Sequence, residues 1–78
     1  MRVQFHRTLY AGTAIDAALG RFAHLAKTRF DRSETPEYFV VEVTASSPTR
    51  SRAIAHELAN FALGLTIEQG GADPGAAP

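Results

Sequence analysis

One apolar spacing occurs twice in this chain, and it limits what the chain can fold into. Ile15, Leu19, Phe22 and Ala26 fall at i, i+4, i+7 and i+11; Ile54, Leu58, Phe61 and Leu65 repeat the interval. Each set lines one stripe of an α-helix and leaves the remaining surface polar. A helix with a single apolar stripe must bury it against another layer. The segment between them, Tyr38 to Ala45, alternates instead. Phe39, Val41 and Val43 face one way, and Tyr38, Val40, Glu42 and Thr44 face the other. That period of two marks a half-buried β-strand. One-sided helices on both sides of a one-sided strand call for a sheet covered on one face.

The remaining segments fit that plan. Val3, Phe5 and Leu9 alternate with Gln4, His6, Thr8 and Tyr10, with Arg7 interrupting the apolar set. This predicts a first strand that stops at Ala11-Gly12. Thr13 followed by Asp16 approximates a capping box for a helix over Ala14 to Lys27. Thr28 to Arg32 either extends that helix or, the favoured reading, forms a short strand joined to the long one through a turn at Ser33 to Glu37, where Pro36 ends regular structure. Ser47 is placed to cap the second helix, with Pro48 at its first position. Gly64 is a candidate end for that helix, leaving Leu65 to Gln69 either as a last short strand or as further helix. The expected architecture is an α+β two-layer sandwich over residues 1–69, in the order β-α-β-β-α with a possible final strand. Both helices lie on one face of a mostly antiparallel sheet, and the final strand would make the arrangement ferredoxin-like. Gly70 to Pro78 holds no apolar side chain larger than Ala or Pro and reads as a disordered tail.

Composition enters through what it removes. The chain has 78 residues and no cysteine, so a small core must do without disulfides or thiolate-bound metal. A partner subunit is the natural supplement. Lys plus Arg equals Asp plus Glu at eight each, so no net charge draws the chain to nucleic acid. No apolar run is long enough to span a bilayer. The first residues already alternate as a strand, so no signal peptide is read, and the expected location is the cytoplasm.

Candidate chemistry is sparse. His6, His24 and His56 lie on three separate elements, and His56-Glu57 has no second histidine downstream to make a metal pair. No nucleophile elbow places a serine beside a histidine. Glu34 and Glu37 belong to a solvated loop, unlike a tuned acid/base pair. Gly12, in a strand-to-helix turn, is explained by the turn itself. Arg29, Arg32, Arg50 and Arg52 near Tyr38 could suit single-stranded RNA, but the aromatic pattern of such modules is missing. No catalytic residue, metal site or cofactor is expected. The expected interface is the polar sheet face of His6, Tyr10, Tyr38, Val40 and Glu42, beside an edge to which a peptide could add as a strand. A structural homodimer is the alternative, and a single-stranded RNA-binding module ranks behind both.

Four runs also carry a family resemblance. They are Phe5-His6-Arg7-Thr8-Leu9-Tyr10, Ala14 to Leu19, Tyr38 to Thr44, and His56-Glu57-Leu58-Ala59-Asn60-Phe61-Ala62-Leu63. Together they resemble the small His-Xaa-Ser system protein HxsD family over roughly Phe5 to Ile67. The chain departs from that pattern after Leu63. The family's helix continues through acidic, aromatic and Leu-Arg-Glu positions, where this chain has Gly64-Leu65-Thr66-Ile67-Glu68-Gln69. The resemblance implies an accessory protein that holds a His-Xaa-Ser repeat peptide or docks it on a radical SAM enzyme. The radical chemistry itself would belong to the partner, since it needs cluster-binding cysteines.

Overall fold

The computed structural model describes residues 1–70. Five elements follow one another: β1 (Arg2–His6), α1 (Gly12–Phe22), β2 (Arg29–Glu34), β3 (Tyr38–Thr44) and α2 (Pro48–Glu68). The strands form one sheet in the order β1-β3-β2, and both pairings are antiparallel. This is the expected α+β sandwich, with the ferredoxin-like strand order up to the third strand. Leu65 to Gln69 supplies no fourth strand. Helix α2 runs through Gly64 to Glu68. The tail expected over Gly70 to Pro78 lies outside the described residues except for Gly70. That residue turns left-handed at φ 88° and donates its N–H to the Ile67 carbonyl, closing the helix.

The register fixes the two faces. Phe5 sits opposite Phe39, Val3 opposite Val41, and Phe30 opposite Val43. These side chains point to the helices and meet Ile15, Ala18, Ile54, Ala55, Leu58 and Ala62 in one core. The helices themselves join through an edge-on contact of Phe22 with Phe61 at 5.8 Å. Ser47 caps α2 as its sequence suggests, its hydroxyl accepting from the Arg50 N–H at 3.1 Å.

Helix α1 differs from its sequence pattern at both ends. Its N-cap is Ala11, which has no side-chain cap to offer. Thr13 therefore lies inside the helix, and its hydroxyl donates to Gln69 at 2.7 Å. The buried Ala11 N–H instead donates to the Thr66 hydroxyl, which donates in turn to the Ala62 carbonyl at 2.8 Å. At the other end the helix stops at Phe22, short of Lys27. Lys27 takes a left-handed φ of 55° that turns the chain into β2, without the Gly or Asn that usually marks such a position.

Strand β2 carries charge on its core-facing side. Arg32 and Glu34 lie opposite Val41 and Phe39 and so share their face. Arg32 reaches Asp16 of α1 at 2.7 Å and Glu34 at 3.1 Å. The guanidiniums of Arg7 and Arg32 lie 4.6 and 5.3 Å from the centre of the Phe39 ring. Each exposed ion pair contributes only about 0.2–1 kcal/mol. Their larger effect is to close the corner of the core where α1 ends its cover.

Candidate functional site

The backbone of β1 points alternately toward β3 and away from it. Met1 exchanges both hydrogen bonds with Val43, each at 2.7 Å, and the Arg7 N–H donates to the Glu37 carbonyl at 3.0 Å. In an antiparallel ladder every second residue makes such bonds. Met1, Val3, Phe5 and Arg7 therefore turn their backbones to β3. Arg2, Gln4 and His6 turn theirs outward. The His6 carbonyl is taken by the N–H groups of Leu9 and Tyr10. The other outward groups of β1 meet no strand among the described residues.

The second edge is built differently. The Thr35 N–H donates to the Tyr38 carbonyl, so the outward backbones of β2 belong to Phe30, Arg32 and Glu34. Two of those three residues direct a charge into the helix layer. Inward-pointing charge on an edge strand discourages another chain from pairing there. Of the two edges, β1 is the open one.

Helix α2 rises beside that open edge. Its first turns share a hollow with Met1, and Thr66 near its end bonds Ala11. It therefore runs along β1 in the same direction. Leu63 is 42% exposed, Ile67 68%, and Leu9 in the turn after β1 65%. Leu63 and Ile67 lie off the buried stripe, one turn apart. The edge thus has unpaired backbone groups in the sheet layer and Leu63 exposed in the layer above, on the side of α2 away from the Phe61 contact with α1, while Ile67 points away from the sheet. A strand placed here would occupy the position that the missing fourth strand of a ferredoxin-like sheet would fill.

The expected interface residues are only partly brought together. His6 and Tyr38 are cross-strand partners with rings 5.1 Å apart, on the face turned away from the helices. The turn holds the His6 ring through Nδ1, which lies 2.7 Å from the Thr8 hydroxyl and 3.3 Å from the Thr8 N–H. Glu42 shares this face, opposite Arg2 and Asp31, and pairs with the Met1 ammonium at 3.1 Å. Val40 shares it too, but lies between Gln4 and Ser33 and is 7% exposed, so it presents little surface. Tyr10 does not belong to this face. The strand ends at His6, and the turn bonds to the His6 carbonyl carry Tyr10 to the helix side, where its ring meets Phe5 edge-on at 4.9 Å. The same turn leaves Leu9 in solvent and not on the apolar face.

The arginines do not share one face: Arg29 lies opposite Thr44 on the outer face of the sheet, whereas Arg32 turns to the helix side and pairs with Asp16. Among the described residues no three His, Asp or Glu side chains gather as a metal site, and no helix is long and apolar enough to cross a membrane. The outward backbones of Arg2 and Gln4 are absent from the sequence-based expectation, because alternation gives side-chain faces but not which strand is the edge. Off-stripe Leu63 is the sequence signal that could have pointed there. Comparison with protein-family models, curated proteins and solved structures finds no match.

Proposed function

We propose that this protein is a non-catalytic binding module whose working element is the open edge of β1. An extended chain adds there as a further strand. The backbones of Arg2, Gln4 and His6 supply its hydrogen bonds, and its alternate side chains meet Leu63 on one face and His6 on the other. Tyr38 and Glu42 complete the outer face beside it. The contrast between the two edges carries this reading: β2 directs Arg32 and Glu34 inward along its paired length, whereas the core-facing positions of β1, Val3 and Phe5, are apolar and the inward-turned Arg7 lies past its end, and Leu63 is exposed on the helix above. The likeness to the HxsD family narrows the proposed client to a His-Xaa-Ser repeat peptide or the radical SAM enzyme that processes it.

The test uses a substitution that the fold should tolerate. The Gln4 N–H points away from β3, so Gln4→Pro removes an edge donor without breaking the β1–β3 ladder. Phage-displayed random peptides should be selected by the wild-type protein and lost on Gln4→Pro, with far-UV circular dichroism unchanged. Peptides captured equally by both proteins would remove β1 from the interface. A synthetic His-Xaa-Ser repeat peptide, added to both, tests the narrower client.

A further inference from the structure

We infer that the strand accepted by β1 is β1 of a second copy, paired antiparallel about Gln4, so that two chains share one continuous six-stranded sheet. This rests on β1 being strand-accepting, as proposed above, and names what holds the edge until a client strand displaces it.

The argument is register. The outward backbones belong to Arg2, Gln4 and His6, three positions symmetric about the middle one. Pairing the whole strand with itself places Gln4 against Gln4 of the mate, each giving and receiving a backbone hydrogen bond. It also places the His6 N–H against the Arg2 carbonyl of the mate. This register satisfies both faces of the sheet. On the outer face Arg2 meets the His6 ring of the mate, while its charge stays beside Glu42 on its own β3. The two Gln4 side chains, exposed in the single chain, can bond each other across the axis. On the helix face Val3, half-buried in the single chain, meets Phe5 of the mate. No like charges of fixed sign stand directly opposite.

The layer above agrees. Helix α2 runs along β1, so a two-fold axis at Gln4 sets the two α2 helices antiparallel beside it. Half-buried Ala59, near the middle of α2, permits close approach, and exposed Leu63 gains cover. The interface is isologous: each copy offers the same surface and closure stops at two. The charged β2 edges remain outermost, where they prevent further strand addition.

The molar mass of the full chain is measured by sedimentation from micromolar to millimolar concentration. The wild type should be a dimer, and Gln4→Pro a folded monomer throughout. Gln4→Lys and Gln4→Glu each put like charges on the axis, and each should weaken the dimer by up to about fivefold. An equal mixture of the two should recover the wild-type mass, because Lys then faces Glu. That rescue requires residue 4 to lie against residue 4, and it holds even if the proline variant fails to fold. A wild type that stays monomeric, or a mixture no better than its components, overturns self-pairing. If the wild type is monomeric yet peptides still distinguish it from Gln4→Pro, the edge reading survives and only the occupant is wrong. If neither result appears, both fall.

Discussion

Replacing Phe39 with alanine should leave this chain largely unfolded at room temperature. Truncating a buried Phe removes about 3–5 kcal/mol through lost burial and the cavity left behind. Phe39 is 3% exposed, lies opposite Phe5 of the neighbouring β1, and carries the guanidiniums of Arg7 and Arg32 over its ring. Those two contacts add about 0.5–1 kcal/mol each at the edge of the core. A domain this short sits near the lower end of the usual 5–15 kcal/mol, so the loss takes most of its margin. Tyr38→Ala is the matched control. It lies one residue away on the opposite face, half-buried, where its ring makes a T-shaped contact with His6 at 5.1 Å, and should cost about 1 kcal/mol or less. Urea unfolding of both variants checks this, and equal losses would contradict the register of β3.

The second large effect is expected at Thr66. Its hydroxyl is the acceptor for the buried Ala11 N–H and a donor to Ala62. Thr66→Val keeps the shape and deletes the acceptor. A buried backbone donor left without a partner costs about 1–3 kcal/mol. In a domain of this size each kcal/mol lowers the melting temperature by about 4–8 °C. Thr66→Ser retains the hydroxyl and should recover most of the difference, apart from the lost methyl group. If the serine and valine variants melt together, the bond to Ala11 is not what holds α1 to the end of α2.

These two residues also show where the sequence was informative and where it was not. Phe39 is readable because strand alternation is local: its neighbours at Val41 and Val43 assign its face without knowledge of the rest. Ser47 is readable for the same reason, since its cap bond reaches only to Arg50. Thr66 is different. It caps a helix 55 residues earlier in the chain, and no local pattern reports that. Thr13 and Asp16 had the spacing of a cap but are engaged by Gln69 and Arg32, partners brought in by tertiary packing. Gly64 could have ended α2. It faces solvent, and the helix continues because Leu65 and Thr66 beyond it are anchored in the core and to α1. Tyr10 was placed on the wrong face because two turn bonds to the His6 carbonyl ended the alternation four residues early. Of the candidate surface, His6, Tyr38 and Glu42 followed from alternation, whereas the open edge needed the strand order.

The attachment of β1 bears on how the chain assembles. Its ammonium bond to Val43 closes a separation of 42 residues, whereas β2 and β3 meet through a tight turn. Closing the longer loop loses more chain entropy before any contact compensates. We expect β1 to dock after the hairpin has formed, and to be the strand that leaves soonest. Hydrogen exchange at Val3 and Phe5 should then outpace that at Val40 and Glu42, whose N–H groups face β2. During such excursions one side of Tyr38-Phe39-Val40-Val41-Glu42-Val43 lies bare. That run has strong β-propensity and a single charge, the composition most prone to intermolecular stacking. The first strand therefore also serves as an intramolecular guard against aggregation.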